Sequence, residues 1–215
     1  MHQGSDVNID KTPIAPVGLR RRDVVGALAA LALMPVLSAC GSRPAPPQQK
    51  DLGPAPDSAS VAPLPRRVEL QGVYGADTLQ GRDVTYRLDY ADPYRRQAYR
   101  DTRWAAPLPV LMNGRMRQLI ARVPVNPAAD AAQPAVVTIE LQECLQAFSS
   151  AGKSEVVVRM SAITEEGARR AFDRSVSAGS DADGAVRATS QAIDALALEI
   201  LNWAASTPPV PMAKR

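Results

Sequence analysis

The chain has 215 residues, 46% of them hydrophobic, with 25 basic and 22 acidic side chains, two cysteines and one histidine. The histidine, His2, lies in an N-terminal stretch that reads as removable. The remaining chain therefore excludes Ser-His-Asp and Cys-His catalysis and any histidine-containing metal site.

The first element is an export signal. Arg20, Arg21 and Arg22 precede an almost wholly uncharged run, Val24 to Ala39. As a helix this run spans about 24 Å, short of the ~20 residues that cross a bilayer core. A basic region, a short apolar region and small residues at its end fit a secretory signal peptide over residues 1–39. Leu37-Ser38-Ala39-Cys40 reads as a lipobox, in which the cysteine sulfur takes a diacylglyceryl group and the chain is cut before Cys40. A core helix with a chance cysteine and an uncleaved anchor are the competing readings. Arg21-Arg22 also allows twin-arginine export, which Asp23 and the missing Ser or Thr before the pair weaken. Gly41 in place of Asp after the cysteine removes the inner-membrane retention signal of enteric bacteria and points to the outer membrane.

Beyond Cys40 the charge is near neutral, with 21 basic and 19 acidic side chains, and Cys144 has no disulfide partner. Gly41 to Pro65 carries seven prolines and no periodicity, which predicts a disordered tether over 40–65. Twenty-five such residues reach roughly 30 Å as coil and up to ~75 Å as polyproline II. Within it, only "KDLGPAP" (Lys50 to Pro56) suggests order, as an edge strand.

A globular domain is expected over 66–206. "VELQGVYG" and "DVTYRLDYA" read as strands. "YRRQAYRDTRW" is ambiguous between a strand and a turn of helix. Leu108, Leu111, Met112, Met116, Leu119 and Ile120 then fall on one helical face, a helix that Gly114 weakens slightly. "AVVTIELQECLQAF" alternates, with Val137, Ile139, Leu141 and Leu145 on one face. "SEVVVRMSAI" and "RRAFDRSVS" continue an antiparallel meander, joined at Glu165-Glu166-Gly167. Asp181 or Asp183 caps a last helix carrying Val186, Thr189, Ile193, Leu196, Ala197, Ile200 and Trp203. Thr207-Pro208-Pro209 stops it, leaving 207–215 as a disordered tail. The fold class is α+β, a mixed or antiparallel sheet with two main helices on one or both faces.

Chemistry is sparse. There is no G-x-S-x-G, P-loop, C-x-x-C or H-E-x-x-H pattern, so no catalytic residue, metal ligand or cofactor is assigned and the chain is not read as an enzyme. Glu165-Glu166 reads as a solvated turn and Cys144 as a small buried side chain. Arg82 to Arg122 holds nine arginines against four aspartates. Arg95, Arg96, Arg100, Arg115 and Arg117 are the candidates for contact with an anionic partner or phospholipid headgroups. The alternative is a solvated surface with scattered ion pairs. An exported location argues against nucleic acid.

"VTYRLDYADPYRRQAYRDTRWAAPLPVLMNGRMRQLIA" resembles the ABC-type transport auxiliary lipoproteins, the group that includes the paraquat-inducible protein C type. The shared pattern is Tyr86-Arg87, then Tyr99, then Arg103-Trp104, then a helix led by Pro107. "IELQECLQAF" and the final strand, cap and helix ending at Trp203 are also similar; Cys144 departs, standing where an aromatic is expected. The resemblance implies an αβ sandwich like the N-terminal domain of the Tol-Pal propeller protein. It implies a non-catalytic part of a lipid transport system, docking a periplasmic protein with mammalian-cell-entry (MCE) domains at the outer membrane. An inner-membrane permease and an ABC ATPase complete that system. Tyr86, Arg87, Tyr99, Arg103, Trp104 and Trp203 then serve packing or the partner interface. Homo-oligomerisation is left open. The rival readings are a periplasmic lipid carrier with an acyl chain between sheet and helix, and an envelope-integrity lipoprotein binding peptidoglycan or another lipoprotein.

Overall fold

A computed structural model describes residues 45–57, 61–127 and 133–208. The expected signal peptide, Cys40 and the segment after Pro208 lie outside the described residues. The elements in order are β1 (Gln48–Lys50), β2 (Val68–Gly75), a 3-10 turn (Asp77–Leu79), β3 (Asp83–Leu88), β4 (Arg96–Trp104) and α1 (Leu108–Ile120), then β5 (Ala135–Ser150), β6 (Lys153–Thr164), β7 (Arg169–Ala178) and α2 (Ala182–Ser206).

The seven strands make one mixed sheet in the order β1-β4-β3-β5-β6-β7, with β2 also paired to β5. β5 is long enough to serve two partners on one side. Its first half takes β2 in parallel and its last residues take β3, also in parallel. On its other side β6 pairs along nearly the whole length, and β7 adds antiparallel to β6, giving the expected meander. The ambiguous segment after Pro93 is strand β4. Its polar and charged residues suit a strand near the sheet edge, where only one side needs apolar contact.

Both helices share a single core with one face of this sheet. Leu108, Met112, Met116 and Leu119 of α1 join Ile193, Leu196, Ala197, Ile200 and Leu201 of α2 in it, over Val137, Ile139, Leu141, Val158 and Met160 of the strands. The opposite face carries no helix and is mostly polar, an arrangement antiparallel sheets tolerate. Leu111, Ile120, Val186 and Trp203 are half-buried at the rim.

One alternation differs from expectation. Val137, Ile139 and Leu141 do point to the core, but a β-bulge between Leu141 and Glu143 inserts an extra residue. It turns Cys144 into the core, in register with buried Val158. Leu145 passes to the opposite face beside Val157, buried there but apart from the main core. A period-2 reading cannot see one inserted residue, which exchanges the two faces from that point on.

α2 starts where Asp181 accepts a hydrogen bond from the Gly184 amide at 2.6 Å. Of the two expected caps, Asp181 is the one used. Gly184 is required there for space, since a Cβ would come within 2.7 Å of the Gly179 backbone. α2 ends at Ser206, just before the Thr207-Pro208 stop. Among the described residues no helix is long and apolar enough to cross a membrane.

The segment expected to be a disordered tether is held on the domain at residues 48–54 and at Leu64, and the edge strand suggested within Lys50 to Pro56 lies at Gln48–Lys50. β1 pairs in parallel with β4, and Leu52 and Leu64 are buried in the core. Composition misleads here because proline content signals only the missing backbone donors. The order comes from leucines and carbonyls that distant parts of the chain engage.

Candidate partner-binding surface

The helix-free sheet face concentrates charge around one carboxylate. The bulge presents Glu143 on that face, in register with Arg159, and Arg159 is ion-paired to it. Arg87 of β3 and Arg96 of β4 each approach the same carboxylate at 3.6 Å. Arg87 also holds Asp89. That hydrogen bond, offset by partial burial, is what raises the Arg87 pKa. Three guanidiniums thus share two carboxylates, leaving donors on a polar platform that suits an acidic or phosphorylated contact.

On the helix-covered face the tyrosines form a different structure. Tyr86 and Tyr99 stack at 4.8 Å between ring centroids, and Tyr86 meets Phe148 edge-on at 6.0 Å. The Tyr99 hydroxyl donates to Gln146 Oε1 at 2.6 Å. Gln146 is almost fully buried and donates in turn to Ser154 Oγ and the Gly179 carbonyl, both at 2.7 Å. Burial, with Tyr86 and Asp181 nearby, pushes the Tyr99 phenol up to about 12. Arg103 is held by Asp83 at 3.0 Å and by the Tyr99 and Thr102 carbonyls. Trp104 is buried, and Trp203 packs edge-on to Phe172 at 5.6 Å between centroids. A cleft of about 320 Å³, lined by Leu79, Thr85, Ala98, Trp104 and Cys144, opens between β3 and β4.

The five candidate arginines do not form one surface. Arg95, Arg96 and Arg100 are exposed on the β3–β4 hairpin, Arg100 paired with Asp101. Arg117 is exposed on α1 beside Val68 and Glu69. Arg115 is not a partner contact. Its side chain is 2% exposed and its donors are engaged by Asp194 at 2.9 Å and by the Leu52, Gly53 and Pro54 carbonyls at 2.6, 2.7 and 3.0 Å. Ser190 donates to the same Leu52 carbonyl. This clamp straps residues 52–54 across α1 and α2.

Glu166 also departs from the solvated-turn reading. It is half-buried against Arg66 at 3.2 Å, and Arg66 donates to the Thr207 carbonyl at 2.8 Å, tying off the end of α2. Glu165 remains exposed. Burial opposes the Glu166 charge, yet backbone hydrogen bonding and Arg66 together hold its pKa below the ordinary value. It therefore binds its proton less readily folded than unfolded. Its contribution is present above the usual carboxylate range and is lost as pH falls through that range to the lowered value. Glu166→Gln is expected to flatten this limb of an acid-unfolding curve followed by circular dichroism.

Cys144 is buried, with Sγ 3.8 Å from Thr189 Oγ1, and burial raises its thiol to about 12. A water-soluble disulfide reagent at about pH 8 should leave it untouched until the domain unfolds. Rapid labelling of native protein would show that the cleft opens to it. Among the described residues, no three His, Cys, Asp or Glu side chains are grouped to hold a metal. No local pattern marks Glu143, Arg66 or Asp194; Gln146, in Gln146-Ala147-Phe148, does carry a signal.

The architecture is a one-sided α+β sheet in which Glu143, Asp194 and Glu166 are each ion-paired to arginine. The chain belongs to the ABC-type transport auxiliary lipoprotein component family, whose model matches residues 51–201. Its fold is similar to that of a Xanthomonas campestris protein of the DUF330 family, at 14% identity and a TM-score of 0.54, covering 73% of this chain and 91% of that one. A second crystal structure, of an uncharacterized protein, is similar at 15% identity and a TM-score of 0.53, covering 74% and 99%.

Proposed function

We propose that this protein is the non-catalytic, outer-membrane-side lipoprotein of an MCE-type lipid transport system, docking the periplasmic MCE protein. The observation that carries this reading is membership of the transport auxiliary lipoprotein family over residues 51–201. Cys40, acylated and freed by signal cleavage, supplies the anchor, and permease and ATPase complete the assembly across the envelope. The domain hydrolyses nothing and works by holding its partner in place. The arginines around Glu143 and the exposed Arg100 give that contact its charge. The filled core argues against a carrier role, since Met112, Met116, Leu196 and Ile200, between sheet and helices, are each 0% exposed.

The test is a pull-down of the tagged full-length lipoprotein from detergent-solubilised envelopes, with mass spectrometry of what accompanies it. An MCE-domain protein with its permease and ATPase is the expected result. Peptidoglycan fragments or an unrelated lipoprotein in their place would overturn it. Capture should weaken as salt rises from about 50 to about 500 mM, because the Debye length contracts severalfold. Cys40→Ser should abolish membrane association in carbonate-washed fractions.

A further inference from the structure

On the proposed anchoring, the first strand of the domain begins only eight residues after Cys40. β1 runs parallel to β4, so the chain enters it from the end of the sheet at which β4 begins. Gln48 pairs with Thr102, six residues along from Arg96 at the start of β4. Cys40 lies eight residues before Gln48, with Pro44, Pro46 and Pro47 in between. Eight extended residues span at most about 29 Å, while six strand residues cover about 20 Å. An acyl group on Cys40 can therefore clear that end of the sheet by only about 10 Å.

The surface at that end has a distinct composition. Register places three connections there: the β3–β4 tip, because the Asp89 amide bonds the Phe148 carbonyl, the β5–β6 turn after Ser150, and the β7–α2 link after Ala178. Tyr94 is 96% exposed and Tyr90 52%, two of the four large apolar side chains exposed among the described residues. Arg95 and Lys153 are exposed and make no ion pair among the described residues. The nearby carboxylates are engaged within the protein: Asp89 by Arg87, Asp92 by the Tyr94 amide, Asp181 by the Gly184 amide and Asp183 by Lys50. Glu155, two residues behind Lys153, is the exception. Exposed tyrosines with free cations suit the headgroup layer, where a ring sits at the apolar boundary and a cation meets phosphate.

We propose that this end of the domain, Tyr90, Tyr94 and Arg95 of the β3–β4 tip with Lys153 of the β5–β6 turn, rests on the phospholipid surface that holds Cys40. This contact depends on acylation of Cys40, as the proposed function does. It orients the molecule, turning the β6–β7 turn at Glu165 away from the bilayer and toward the periplasm.

The test uses the full-length acylated protein in vesicles of phosphatidylethanolamine and phosphatidylglycerol that carry a headgroup-attached quencher. An environment-sensitive fluorophore is placed through Tyr94→Cys or, at the other end, Glu165→Cys; buried Cys144 does not compete. Flotation with the vesicles, and quenching about fivefold stronger at position 94 than at 165, is the expected result. Arg95→Glu with Lys153→Glu should reduce the quenching at 94 while flotation persists. Flotation with equal, weak quenching at both positions would overturn the membrane contact and leave acylation standing. A blue shift at 94 without quenching would overturn it in favour of a protein contact, such as a second copy of the chain. Failure to float would remove acylation of Cys40, and the membrane contact with it.

Discussion

Arg115→Ala is expected to destabilise the domain by about 3–5 kcal/mol, the range for breaking a buried ion pair from one side. The side chain is 2% exposed and satisfies a carboxylate and three backbone carbonyls from two separate regions of the chain. Its removal leaves Asp194 in a site where burial already raises its pKa against the pull of Arg115, and leaves the 52–54 carbonyls without their donor. For a domain of this size the melting temperature should fall by about 10 °C. Asp194→Asn should cost less, because the three carbonyl contacts survive. Limited proteolysis supplies a second readout: cleavage within residues 51–57 should accelerate in Arg115→Ala well before global unfolding. A melting point within a degree of wild type would show that the strap is held by β1 and Leu52 alone. Under the proposed anchoring at Cys40, release of the strap together with β1 would lengthen the tether and uncouple the domain from the membrane surface.

Trp104→Ala should cost a similar amount, about 3–5 kcal/mol, the range for truncating a buried aromatic. Trp104 is 3% exposed at the end of β4, its amide donates to the Arg82 carbonyl at 2.7 Å, and its carbonyl accepts from Arg82 Nε at 2.8 Å. The backbone contacts survive truncation, so the loss isolates the indole. The void would merge with the adjacent 320 Å³ cleft beside Cys144 and admit water, which makes relaxation around it poor. The variant's Cys144 should therefore label faster than wild type even when folded. Trp104→Phe should recover more than half of the lost stability. If the melting point of Trp104→Ala holds while capture of the partner fails, the indole belongs to the interface instead of the core.

How far the sequence reaches depends on the range of the interaction being read. The two helices and the strands of the meander were legible because periodicity of apolar residues reports local geometry directly, as at Met112, Met116, Ile193 and Ile200. The ambiguity of β4 was real: its apolar content is low because it packs near an edge, and its partners lie in distant segments.

By itself the sequence determined the class of domain, the confinement of histidine to position 2 and the family pattern from Tyr86 to Trp104. Each is written in residue type and short spacing. The tertiary structure alone decided that Arg115 is a clamp and Arg96 a surface cation, since the two share composition and differ only in what surrounds them. It alone decided that Leu145 lies on the face opposite the helices, because a single bulged residue shifts the phase of every side chain after it. It also decided how residues 48–54 join the domain, where the sequence offered only an edge strand at Lys50 to Pro56. Their energy comes from contacts with β4, α1 and α2, in segments far along the chain that no local pattern records.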